Sequence, residues 1–293
     1  MNEIERILKK HNLHPKSYRK NKKTTIIETL DNKYVVKLNA NNYDIYNYLN
    51  SRDFNYYPPN YNNSNDNYDL SLYVDDYSIP PTQRMEDLVK TLAVLHHKTS
   101  YYQEVDLNDI KEIYENNKDE LLELLKYYQE LNDIIDSHVF MSPSEYLLVR
   151  NISLFYYMTN YSLRKFDEWY KMMDNKTSWR ISLIHNNVSV EHMLINENRY
   201  LISWDKARND IPIKDLISFY KQYYASINLS DLLNMYECHN VLSEEEKCLM
   251  FAILSIPKKI SWTKDNLNDT MTINDEIFYL NKVYEYIKSD KAT

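Results

Sequence analysis

Hydrophobic and polar positions change their period once along the chain. Up to residue 75 the apolar positions come in short β-branched and aromatic runs. Thr24–Leu30 (TTIIETL), Lys33–Leu38 (KYVVKL) and Asp69–Asp75 (DLSLYVD) read as strands. Asp31-Asn32, between the first two, is a glycine-free approximation to a tight hairpin turn. Helices are predicted over residues 2–11, with Ile4, Ile7 and Leu8 on one face, and over Asn42–Leu49. Residues 54–69 (FNYYPPNYNNSNDNYD) are low in complexity and rich in turn formers, which predicts a surface loop.

After Pro80-Pro81 the period becomes helical. Arg84–Thr99 spaces Met85, Leu88, Leu92 and Leu95 along one face. Long amphipathic patterns follow over 107–135, which is acidic, and 143–173, which is rich in aromatics; further helices are predicted near 213–226, 243–256 and 272–289. Two or three short strands are expected among them, one at Tyr200–Ser203. The pattern predicts an α+β, two-lobed chain: residues 1–76 form a small β-rich lobe of antiparallel strands, a short helix and one further helix, and 77–293 a larger, mainly helical lobe.

Composition sharpens this in four ways. The net charge of −8 disfavours broad nucleic-acid binding, although Lys16–Lys23 (KSYRKNKK) runs against it and reads as a solvated strand edge that resists aggregation, or else as a contact for an anionic partner. No apolar run reaches the length that spans a bilayer, and the polar start MNEIERILKKHN predicts cytoplasmic synthesis with no membrane partner. Cys238 and Cys248 form no disulfide framework and read as inert thiols. Tyrosine occurs 29 times against 7 phenylalanines, which points to an AT-rich genome and tyrosine used as core, more economically than to oxidative cross-linking.

Glycine is absent altogether. Left-handed backbone positions must then fall to Asn or Asp, and phosphate-cradling loops built on glycine are excluded in their usual form.

The chemistry-bearing stretch is His185–Ile195, HNNVSVEHMLI, followed by Leu201-Ile202-Ser203-Trp204-Asp205. Taken with Lys37 at the end of a strand and Leu92-Ala93-Val94-Leu95-His96 on a helix, this order resembles the aminoglycoside phosphotransferase/choline kinase branch of the protein-kinase-like fold. The resemblance runs over nearly the whole chain. Lys33–Leu38 is similar to the strand bearing that family's nucleotide-phosphate lysine, which makes Lys37 that residue. LAVLH looks like its LAxLH helix, HNNVSVEHML its catalytic loop (HGDxxxxNIL), and LISWDKARNDIPIKDL its metal segment (LIDWExAxxGDPxxDL). A spore-coat-associated, kinase-like group in Bacillus and its relatives, the CotS and YutH type, is the nearest resemblance within the family. It implies a bilobal fold, with the catalytic loop at 185–195 and the metal segment at 201–216.

The departures from the family pattern fall on chemistry. Asn187 stands where the family's catalytic Asp takes or orients the hydroxyl proton; losing general-base help typically costs about 10²–10⁴-fold. His192 replaces a metal-binding Asn with a ligand better suited to zinc or copper, and Ser203 replaces the main magnesium-binding Asp. The phosphate-covering loop should fall near Arg19-Lys20-Asn21-Lys22-Lys23, which carries four cations and no glycine. Asp44 is the nearest acid to pair with Lys37. Asp205 and Glu191 could serve as relocated magnesium ligands, although Asp205 also reads as a local partner of Lys206 or Arg208. His185 and His192 could bind a metal together, but read better as a structural and an exposed histidine.

The residues expected to support the loop are kept: His185 as its brace, Trp204 beneath it, and Asp215 as the anchor of its backbone. The resemblance therefore implies a pseudokinase that binds other proteins, including spore coat components, without a cofactor. The alternative is an active ATP- and magnesium-dependent small-molecule phosphotransferase using Lys37, Glu191 and Asp205. A third reading is a cytoplasmic interaction domain unrelated to spores.

Overall fold

In the computed structural model, which describes residues 3–21, 24–174, 176–263 and 265–290, the first strands bury alternate residues as their pattern requires. β2 (Thr24–Glu28) turns Thr25 and Ile27 inward, and β3 (Lys33–Leu38) buries Val36. With β1 (Ser17–Asn21) and β4 (Tyr68–Leu72) they form an antiparallel sheet in the order β1-β2-β3-β4. Helix α1 (Glu3–Lys10) lays Ile7 and Leu8 on a core of Ile27, Val36, Tyr68 and Leu70. The fold is α+β, with this small sheet near the N-terminus and a larger helical part after it.

Three expectations need correction here. The β2–β3 turn is not a two-residue hairpin: Glu28 pairs with Lys33, so Thr29–Asn32 form a four-residue loop. The Thr29 hydroxyl and N–H both donate to the Asn32 carbonyl (2.8 and 2.9 Å), and neither Asp31 nor Asn32 is left-handed. A longer loop removes the need for the positive φ that a glycine would have supplied. Second, residues 54–69 are not simply a surface loop, because Phe54, Asn62, Asp66 and Tyr68 are buried. Third, β5 (Tyr101–Glu104), β6 (Ser178–Ile184), β7 (Met193–Ile195), β8 (Arg199–Leu201) and β9 (Arg208–Asp210) exceed the two or three strands expected there.

By compactness the chain divides into Met1–Ser100 with Ser182–Asp215, and Tyr101–Ile181 with Leu216–Thr293. The first unit holds the sheet, α2 (Tyr43–Ser51), α3 (Pro81–Thr99) and the loops after β6. Helix α3 starts with proline at its first position, where no N–H is needed, and buries Leu92, Ala93, Leu95 and His96.

The second unit is built on α4 (Leu107–Asp136) and α5 (Pro143–Met173). Asp106 caps α4, and a capping box of Ser142 and Glu145 starts α5. Helix α5 packs on α8 (Glu244–Leu254) and α9 (Asn266–Asp290). Helix α6 (Ile213–Tyr223) leads in from the first unit, and α7 (Leu229–Glu237) was not legible in the sequence.

Tyrosine serves as core in this unit. Tyr128, Tyr220 and Tyr236 are fully buried, Tyr128 donates its hydroxyl to the Lys258 carbonyl, and Tyr279 donates to that of Leu254 at 2.7 Å. Cys238 is exposed and Cys248 buried, both free, and burial pushes the Cys248 thiol up to about 11. Among the described residues no helix is long and apolar enough to cross a membrane.

Candidate functional site

The site lies in the first unit, where β6 ends in the loop beginning at His185. Asp215, in the first turn of α6 and 1% exposed, accepts the His185 N–H at 2.7 Å and the Asn186 N–H at 2.8 Å. His96 Nε2 lies 3.1 Å from the same carboxylate. One acid thus fixes two consecutive backbone donors that burial would otherwise leave unpaired. At this bend Asn186 adopts φ 55°, the left-handed conformation that a glycine usually supplies. Its side-chain amide donates to the Lys206 carbonyl at 3.1 Å.

The rest of the loop is tied to the strand ends. His185 Nε2 donates to the Ile202 carbonyl at 2.9 Å, and its ring meets Trp204 edge-on at 5.0 Å. Burial lowers the His185 pKa, so the neutral ring is favoured. Trp204 is fully buried and donates its indole N–H to the Leu201 carbonyl at 2.8 Å.

His192 is half-buried, not exposed as expected; its Nδ1 donates to the Asn187 carbonyl at 2.8 Å. The two histidine rings stand 6.0 Å apart. The Asn187 amide reaches only 3.5 Å from the Ser203 carbonyl. Ser203 is left-handed at φ 68°, the one described left-handed residue that is neither Asn nor Asp. That conformation costs a residue with a Cβ roughly 1–2 kcal/mol.

On the sheet side, Lys37 in β3 lies opposite Asp69 in β4. The Lys37 ammonium pairs with Asp205, not with the exposed Asp44 at the start of α2, and not leaving Asp205 to Lys206 or Arg208. Sequence proximity favoured Asp44, whereas the turn Trp204–Lys206 carries Asp205 to the lysine.

Sequence reasoning passed over Asp69. Its Oδ1 accepts the amides of Asn60 (2.6 Å) and Asn62 (3.0 Å), while Oδ2 accepts that of Asn42 (2.9 Å) and lies 3.4 Å from the Tyr46 hydroxyl. Burial, with the charge of Asp205 adding to it, raises the Asp69 pKa against the effect of these donors. The same burial pushes the Tyr46 hydroxyl well up. The signal was the Asn-rich run itself, whose amides turn inward to one acid.

Arg19, Lys20 and Asn21, expected in a phosphate-covering loop, are exposed residues of β1, with Asn21 paired to Thr24. Lys22 and Lys23 lie outside the described residues. Glu191 is exposed.

The carboxylates on this side of the site are engaged within the protein. Among the described residues no group of three or more His, Cys, Asp or Glu could hold a metal ion. Asp69 accepts the amides of Asn42 and Asn60, and Asp205 is paired with Lys37.

No family model and no curated protein matches this chain. Solved structures do. An aminoglycoside phosphotransferase from Alicyclobacillus acidocaldarius is similar with a TM-score of 0.66 at 11% identity, over 94% of this chain and 93% of that one. Weaker matches are the choline kinase LicA of Streptococcus pneumoniae (TM-score 0.47, 13% identity, 94% and 99% covered) and an AMP-bound spectinomycin phosphotransferase (TM-score 0.45, 11% identity, 95% and 96% covered). At such identities the likeness establishes the fold alone. The chain has the protein-kinase-like fold of that aminoglycoside phosphotransferase.

Proposed function

We propose that this chain is a pseudokinase of the aminoglycoside phosphotransferase type, working by binding other proteins rather than by phosphoryl transfer. One contrast carries the reading. Asp215 holds the loop backbone in place, yet an amide occupies position 187 and a hydroxyl position 203, where proton and metal handling need carboxylates. Purified protein with ATP and magnesium is expected to release phosphate no faster than its Lys37→Ala variant. Robust turnover that Lys37→Ala abolishes overturns the proposal.

A second reading is favoured by the Lys37–Asp205 pair, which sets an acid beside the lysine that resembles the phosphate-binding one. On that reading the protein is an active small-molecule phosphotransferase with relocated ligands, and Asp205→Asn abolishes both metal binding and transfer. The proposed protein partners include spore coat components, on the strength of the resemblance to the CotS and YutH type. Expression confined to sporulation supports that assignment, and constitutive expression argues for a general cytoplasmic interaction domain.

A further inference from the structure

The second unit contains a recess of about 330 Å³ where the end of α6 meets the turn between α8 and α9. Lys221 lines it from α6 and Lys258 and Lys259 from the turn, against Asp275 and Glu276 of α9. Glu276 is 3% exposed and already committed: it accepts the Lys258 N–H at 2.8 Å, and its other oxygen lies 3.9 Å from the Lys258 ammonium. Asp275 is exposed. Lys259 sits over the Tyr127 ring, 4.7 Å from its centroid. Lys221 has no carboxylate at ion-pair distance among the described residues, and Glu276 is the acid whose charge it feels most.

Between the charged groups the walls combine tyrosine rings and isoleucines with the hydroxyls of Ser261 and Thr272. Tyr279 spends its hydroxyl on the Leu254 carbonyl and so presents its ring, with Tyr224 edge-on at 5.1 Å; Ile256 and Ile260 also line the recess. Three cations face two acids, one of them committed to the turn. The three lysines are exposed, so the recess carries one more positive than negative group at a mouth open to solvent, with room for a flat body inside.

We propose that this recess binds a small organic oxyanion, a carboxylate or phosphate on a planar body, with Lys221 and Lys258 as its cationic contacts. This inference does not rest on the kinase-like reading of the other site. Lys221 is exposed as a residue, and partial desolvation of its ammonium where it lines the recess lowers its pKa. Its neutral amine is accordingly more available than that of an ordinary surface lysine.

Pyridoxal 5′-phosphate, an anionic planar aldehyde, is a direct probe. The Lys221 nitrogen attacks the aldehyde carbon, a C=N bond forms and water leaves; borohydride then reduces the imine to a secondary amine that peptide mass spectrometry locates. With the full chain at neutral pH, Lys221 is expected to be labelled about tenfold faster than the average lysine, as one added charged contact provides. Lys258→Ala is expected to slow that labelling severalfold with an unchanged melting temperature. Inorganic phosphate and benzoate are expected to slow labelling at Lys221 alone, and the stronger competitor identifies the head group. Labelling spread evenly over the lysines overturns the proposal, and so does fast labelling of Lys221 that neither anion slows.

Discussion

Asp215 and Asp69 are both carboxylates closed in by donors, but they hold different kinds of structure. Asp215 accepts two consecutive backbone N–H groups and faces His96, so it fixes the path of the main chain at the loop. Asp69 accepts the side-chain amides of Asn42, Asn60 and Asn62 and so gathers an irregular segment onto the edge strand β4. Backbone donors at a buried bend have nowhere else to turn once their acceptor is removed, whereas amide side chains can swing toward water. The acid that pins main chain should therefore carry more of the stability.

The sharpest way to break this comparison is to remove each acceptor. Asp215→Ala strands two N–H groups and is expected to lower the unfolding free energy by about 3–5 kcal/mol, read from urea denaturation. Asp69→Ala is expected to cost less, about 1–3 kcal/mol, with new proteolytic cleavage within residues 54–69. Equal losses, or a larger one for Asp69, contradict the assignment of roles.

pH tests the same two sides of the site with opposite signs. The His185 pKa is lowered in the folded protein, so below about pH 6.5 the unfolded chain takes up a proton that the folded chain resists. Its contribution is fully present above that pH and is lost as pH falls. The Asp69 pKa is raised, so its contribution is present below about pH 3.9 and is lost as pH rises through the folded value. Stability measured against pH should fall from pH 7 to 5, and His185→Asn should flatten that slope.

The smallest expected effect concerns left-handed backbone. Ser203→Gly should stabilise the protein by about 0.5–1 kcal/mol, because it relieves a Cβ held at positive φ. Asn186→Gly should change little, since Asn tolerates that conformation. A loss of stability on Ser203→Gly means that the serine side chain holds the turn.

Legibility in the sequence followed locality. Helices α3, α4 and α5 were readable because each carries its own apolar stripe, and Lys33–Leu38 appeared with its ends where the sequence put them. Asn186 taking a left-handed bend followed from the absence of glycine, though Ser203 taking another did not. The Lys37–Asp205 pair spans 168 residues, and no local pattern signals it. The Asp69 cage was hidden for a different reason. An Asn-rich run has the composition of a loop, and only the β3–β4 register, with Lys37 against Asp69, shows that its amides have an acid to face.

Nucleotide binding followed by thermal unfolding, with ATP plus magnesium against ATP plus EDTA, tests the central claim most directly. A ligand that binds only the folded state stabilises it by RT ln(1 + [L]/Kd) and so raises the melting temperature. The account predicts that magnesium makes no difference, because on the proposed reading Asn187 and Ser203 stand where metal-linked chemistry needs acids. A magnesium-dependent rise that Asp205→Asn eliminates contradicts it and identifies a working phosphotransferase.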